Sequence, residues 1–270
     1  MTEPTNKSVA EKKEGEPAEE KLAEGTLVSH LIELRQRLVK AVLAIALIFL
    51  ALIPFTDEIF DFVAKPLKAQ LPEGSALITT GITAPFMVPF KATFFVALFL
   101  AMPIVLYQVW RFVAPGLYRK EKRFTIPLLV SSVVLFYAGM AFAYFIIFGI
   151  VFAFFIGITP ESVTNMPDIG QYLTFVLTLC FAFGVAFEVP VATVILIWSG
   201  LVTVKSLKAA RSYVFIGAFV VGMFLTPPDV FSQTLLALPM YFLYEGGIIM
   251  AQYLLPEKIA AQQAAEETPD

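Results

Sequence analysis

Histidine and cysteine are almost missing from this chain, which has one of each, His30 and Cys180. One cysteine excludes an intramolecular disulfide. One histidine excludes a histidine-based metal cluster and leaves His30 as the only support for a Ser/His/Asp triad. There is no Walker loop and no glycine-rich strand-to-helix turn, so the energy for any work comes from outside the chain, and neither cofactor nor metal is expected. Charge is scarce too. Asp, Glu, Lys and Arg make up 15% of the residues, against about 25% in soluble domains.

Apolar residues take up the difference, at 58% of the chain with a mean hydropathy of +0.79, and they are gathered into long uncharged runs. In lipid such runs satisfy their backbone polar groups as helices, so the expected fold class is an all-α integral membrane protein. Charges at Lys40 and Asp57, Lys91 and Arg111, Arg123 and Glu161, Asp168 and Lys205, Arg211 and Asp229, and Asp229 and Glu245 bound six runs. They place transmembrane helices near 38–55, 90–112, 124–156, 170–199, 212–226 and 231–250, inside a membrane domain spanning 27–253. Residues 1–26, rich in Glu, Lys, Pro and Ala, have the composition of a disordered tail. Residues 254–270 form a second polar tail.

An even number of crossings puts both termini on one side. Lys and Arg cluster at Arg35, Arg37 and Lys40, in the Arg111–Arg123 loop and in the Lys205–Arg211 loop, whereas the opposite side holds only Lys65, Lys68 and Lys91. By the positive-inside rule both termini are cytoplasmic. The fifth and sixth runs are short: at about 1.5 Å per residue each spans roughly 22 Å, less than a hydrocarbon core of about 30 Å. Two adjacent short helices would thin or tilt the bilayer, unless the helices continue past their flanking charges with Glu245 snorkelling. In the long first outer loop, Ile59, Phe60, Val63, Pro66 and Leu67 recur at helical spacing, which predicts a short amphipathic helix over the bundle.

Two places carry candidate chemistry. Glu188 is the only charge between Asp168 and Lys205, and a carboxylate at that depth costs a few kcal/mol. Protonation, hydration or a polar neighbour such as Gln108 or Tyr144 would ease that cost. Before the first run, Ser29 can cap a helix that bears Glu33 in its first turn. Read locally, Glu33 pairs with Arg37 at i,i+4, and Arg35, Arg37 and Lys40 are topology anchors.

Four motifs widen that reading: HLIELRQRL before the first helix, FVAPGLYRKEKR at Phe112–Arg123, FAFGVAFEVPV at Phe181–Val191 and FLTPPDVFSQTLLALPMY at Phe224–Tyr241. Together they resemble TatC, the polytopic core subunit of the twin-arginine translocase, from about Leu27 to Tyr253 and in that family's order. The resemblance implies a concave, cupped bundle and a non-enzymatic receptor for signal peptides with paired arginines. It also implies single-span partners TatA and TatB, further copies of the chain, surrounding lipid, no nucleic acid, and transport driven by the proton-motive force across a bacterial inner membrane.

Carried over residue by residue, the resemblance makes Glu33 and Glu121 the recognition site, since paired guanidiniums call for carboxylates that accept forked hydrogen bonds. Arg35, Arg37, Phe112, Pro115, Leu117 and Tyr118 would shape it. Glu188 would sit in an intramembrane polar pocket with Gln108 and Tyr144. Asp229, Gln233, Met223 and Pro66 would serve assembly, with a helix cap as the local alternative for Asp229.

A second class of function is a proton-coupled secondary transporter with Glu188 as carrier. Such proteins are usually built from internal repeats with several intramembrane polar groups, and neither pattern is evident here. An intramembrane hydrolase is the weakest reading, because a paired acid and a membrane-embedded Ser/His are both lacking.

Overall fold

A computed structural model describes residues 16–70, 78–117, 125–160, 166–226 and 229–267. The chain runs as α1 (Glu16–Leu52), a 3-10 turn (Ile53–Phe55), α2 (Thr56–Gln70), α3 (Ala84–Leu117), α4 (Thr125–Phe142), a π-helical turn (Ala143–Ile147) and α5 (Phe148–Gly157). It continues as α6 (Ile169–Ala186), α7 (Val189–Trp198), α8 (Val204–Ala209), α9 (Arg211–Leu225), α10 (Val230–Leu254) and α11 (Pro256–Glu267). Five stretches are long and apolar enough to cross a bilayer, and α9 is a shorter apolar helix. With α9 they make the six expected spans: α1, α3, α4 with α5, α6 with α7, α9, and α10.

Several boundaries differ from the sequence reading. The tail expected to be disordered through residue 26 is helical from Glu16 onward, and the second tail holds α11. The second span starts at Ala84, where Pro85 suits a first turn whose N–H groups are unpaired in any case. The sixth span is not short. It has 25 residues, about 37 Å at helical rise, because it runs straight through Glu245. That acid is paired: Arg211 Nη2 donates to one oxygen at 2.6 Å and the Tyr241 hydroxyl to the other at 3.0 Å. The length mismatch is thus confined to α9, with 15 residues.

The amphipathic α2 forms where the spacing put it. Ala64 is fully buried, Phe60 and Val63 join the core, and Phe62 faces out. It packs on α3 and α6. The first span leans chiefly on α3, with Phe49 edge-on to Phe90 at 4.9 Å and to Phe94 at 5.9 Å, so that most of its apolar surface faces outward.

The core lies between the second, third and fourth spans, around Phe136, Ile147, Leu173 and Phe183. Close crossing there depends on missing side chains, as is general for helices that pack without a hydrophobic drive between them. A Cβ on Gly139 would stand 2.4 Å from the Phe183 carbonyl oxygen, and one on Gly184 would stand 2.6 Å from the Phe136 ring. A smaller cluster, with Val194, Ile197, Tyr244 and Ile248, joins α7 to α10.

At the end away from the termini, Asp168 ties two loops together. Its Oδ1 accepts the Gln171 N–H at 2.9 Å and caps α6, while Oδ2 accepts the Thr80 N–H at 2.9 Å and the Thr80 hydroxyl at 2.7 Å. Ile78 pairs alongside, accepting from the Ile169 N–H at 3.0 Å. The Thr80 hydroxyl, then the Gln171 and Thr80 amides, hold the Asp168 carboxyl below its ordinary 3.8, at about 2.

Two outcomes follow from this packing. Gly139→Leu should cost about 1–3 kcal/mol by overpacking, read as a lower unfolding temperature in detergent. Gly149→Leu, where a Cβ meets nothing within 4 Å, should leave that temperature nearly unchanged. Because the folded pKa of Asp168 is depressed, its stabilising tie is complete above the unfolded value near 3.8 and lost as pH falls through about 2. Pepsin cleavage between Ile78 and Ala84, normalised to cleavage in α11, should rise several-fold between about pH 4 and 2. In Asp168→Asn it should be fast and flat over that range.

Candidate functional site

The fourth span is broken in the middle, and Glu188 sits at the break. Pro190 has no N–H, so the carbonyl four residues earlier, that of Ala186, receives no helix bond. The Glu188 N–H turns to Val185 O at 3.0 Å, one residue short of helical register, and α7 restarts with Ala192 donating to Glu188 O at 2.9 Å. Loose backbone polar groups are tolerated at this depth only under protein cover or against water. Cover comes from both flanks. Gly139 of the third span lies against Phe183 O and the Phe187 ring, and a Cβ on Gly247 of the sixth span would come within 2.9 Å of Pro190 Cα.

Ser132 of α4, which is fully buried, stands beside the Glu188 carboxylate. The indole N–H of Trp110 on α3 donates to Ser132 Oγ at 3.0 Å. A hydroxyl that accepts from an indole keeps its own proton for another acceptor, so Ser132 has a proton to offer Glu188, and Trp110, Ser132 and Glu188 line up across three spans. Glu188 Oε1 is buried with no hydrogen-bond partner among the described residues. Gln108 is half-buried on α3, but two residues from Trp110 is about 200° round a helix, so the two do not share a face. Tyr144 lies in the π-helical turn, half-buried beside Tyr172 and Cys180 of α6.

At the end that carries the termini, the Arg37 guanidinium donates to Glu33 within one turn of α1. The Arg37 side chain is 14% exposed and the Glu33 side chain 33%. Arg35 is exposed. Because Phe49 meets Phe90 and Phe94, α1 and α3 run antiparallel and the Glu33 turn stands level with the carboxyl-terminal part of α3. There Arg111 is exposed, with its Nη1 3.5 Å from the Tyr107 hydroxyl, and Phe112 is half-buried. Pro115 and Leu117 belong to the last turn of α3. Tyr118 and Glu121 lie outside the described residues.

At the opposite end Asp229 caps α10, accepting the Ser232 N–H at 2.7 Å. Gln233 Nε2 donates to Phe219 O at 2.8 Å and holds α10 to α9. Met223 is exposed on α9. Pro66 belongs to α2, away from these three in the chain. Sequence reasoning missed Ser132, Trp110 and the Asp168–Thr80 tie. Each is a contact between spans or loops, for which local periodicity carries no signal.

Among the described residues no group of His, Cys, Asp and Glu could hold a metal. The fold and these sites define a multi-pass helical membrane protein with a half-buried acid at a helix break and a carboxylate–guanidinium pair at one end. The family model described as Sec-independent protein translocase protein (TatC) matches residues 29–239. A TatC from Azotobacter chroococcum is 63% identical over 222 residues, covering 82% of this chain and 87% of the relative. The TatC of Escherichia coli K12 is 53% identical over 227 residues, covering 84% and 88%. A crystal structure of a twin arginine translocase receptor, TatC, superposes with a TM-score of 0.77 at 38% identity, covering 83% of this chain and 98% of that one. The chain therefore belongs to the TatC family and is a protein-transport component rather than an enzyme.

In a protein-export assay, Glu188→Gln should stay close to the parent, since a neutral amide still accepts from Ser132. Glu188→Leu leaves the Ser132 donor unpaired, at a cost of about 1–3 kcal/mol, and Glu188→Arg adds an uncompensated cation. Both should export at least several-fold less. A Gln variant as defective as the Arg variant would mean that ionisation of Glu188 is required.

Proposed function

We propose that this chain is the receptor and scaffold subunit of a twin-arginine translocase in a bacterial inner membrane, with both termini in the cytoplasm. Orientation follows from Arg35, Arg37, Lys40, Arg111, Lys205, Lys208 and Arg211 on the termini side, against Lys65 and Lys91 on the other. The observation that carries the reading is the Glu33–Arg37 pair beside the end of α3. An i,i+4 pair on a helix is worth only about 0.3–0.5 kcal/mol. A hydrogen bond between charged groups contributes about 1.5–3 kcal/mol, and a bidentate guanidinium makes two. The signal peptide's arginines thus displace Arg37 from Glu33 at small cost, and Arg37 holds the carboxylate in place until they arrive. Glu121 supplies the second acid, and Phe112, Leu117 and Tyr118 shape the surface around it.

The partners in this reading are the single-span subunits TatA and TatB and further copies of the chain. A polar group on a partner's transmembrane helix would find a ready acceptor in Glu188 Oε1, which has no hydrogen-bond partner among the described residues. Asp229 and Gln233 shape the outer tip of the fifth and sixth spans, where they, Met223 and Pro66 serve assembly. The proton-motive force drives transport.

The test is photocrosslinking of a paired-arginine signal peptide to inner-membrane vesicles that carry the protein. Glu33→Ala and Glu121→Ala should each lower the crosslink about ten-fold, the loss of one charge-assisted contact, with the protein still membrane-inserted. Replacing the peptide's arginines by lysine should do the same. Undiminished crosslinking in both variants rejects this site.

A further inference from the structure

Lys91 is the one cation lining a groove of about 780 Å³ at the end of the bundle away from the termini. Its walls come from the start of α3, the end of α5 and the start of α6, and they include Met87, Phe152, Phe155 and Phe175. The Lys91 ammonium donates to Thr174 Oγ1 at 3.0 Å, which uses one of its three protons. Among the described residues no carboxylate pairs with it. The only acid on the groove wall is Asp168, and both its oxygens are taken by Gln171 and Thr80. Lys91 is exposed in the groove and has two protons left for an anion. The anion that a bilayer supplies at this depth, next to apolar walls, is a phosphodiester with its acyl chains.

We propose that this groove is a phospholipid site, with the lipid phosphate on Lys91 beside the Thr83 hydroxyl, and one acyl chain along Met87, Phe152 and Phe155. Thr174 donates its own proton to Gly170 O at 2.7 Å, so its oxygen is fixed as an acceptor for Lys91 and aims the ammonium across the groove. The volume falls within the range of about 300–1,000 Å³ typical of small-molecule pockets. It holds a headgroup with the first part of a chain. The site requires only that the protein sits in a bilayer, and it stands or falls apart from the receptor reading.

The experiment uses the full chain in vesicles of phosphatidylethanolamine and phosphatidylglycerol, doped with a phosphatidylglycerol carrying a photoactivatable acyl chain, with no precursor or signal peptide present. After irradiation, adducts on the peptides holding Met87 and Phe152–Phe155 should exceed those on the outward face of α1 at Leu43 and Leu47, which reports bulk lipid. In Lys91→Gln the excess should fall about ten-fold, as for one lost charge-assisted contact, and Lys91→Arg should keep it. A parallel arm on the unmutated protein replaces the probe with a diacylglycerol bearing the same chain, and labelling should drop to the α1 level. Groove labelling equal to that of α1, an excess indifferent to Lys91→Gln, or equal labelling by the diacylglycerol would each overturn the proposal.

Discussion

A bilayer interior forgives no loose backbone polar group, and the structure is arranged around a place where this chain leaves some. Pro190 breaks the fourth span and Glu188 sits in the gap. The third and sixth spans close on the break from either side, through Gly139 and Gly247, at distances no larger residue would allow. The second span reaches it through Trp110 and Ser132. Four of the six spans thus converge on this break.

The acid of the sixth span is handled by pairing. Glu245 lies inside the sixth span but is matched by Arg211 at the start of the fifth and by Tyr241 one turn away. The contrast with Glu188 is informative. One acid has its oxygens matched inside the chain, and the other keeps an oxygen with no partner among the described residues. A group meant only to hold the fold would be expected to resemble Glu245.

Most of the architecture was legible in the sequence, because hydropathy and helical spacing are local signals. The fifth span was placed within a residue at each end, and the amphipathic α2 was read from Ile59, Phe60 and Val63. Misreadings came where a distant residue decides. Glu245 closed the sixth uncharged run and left its span short or continuous as alternatives, because its counter-ion is 34 positions away. Asp168 served only to bound the fourth run, because its partner Thr80 is 88 positions away. Ser132 and Trp110 look like ordinary residues of apolar runs, and only the crossing of two spans gives them a role. Glu33 with Arg37 was readable because both lie on one helical turn, and Glu121 was marked by family likeness rather than by local chemistry.

The fourth span is also fastened at both ends by segments that do not cross the membrane. At its start Asp168 holds the Ile78–Thr80 segment. At its finish Lys258 of α11 donates to Trp198 O at 2.6 Å and lies 4.8 Å from the centre of the Trp198 ring. A strut pinned at its two tips and jointed at its middle cannot slide or tip as a whole. Sideways load from anything pressed against it is passed to the joint, so the part of the molecule most able to yield is the stretch that carries Glu188.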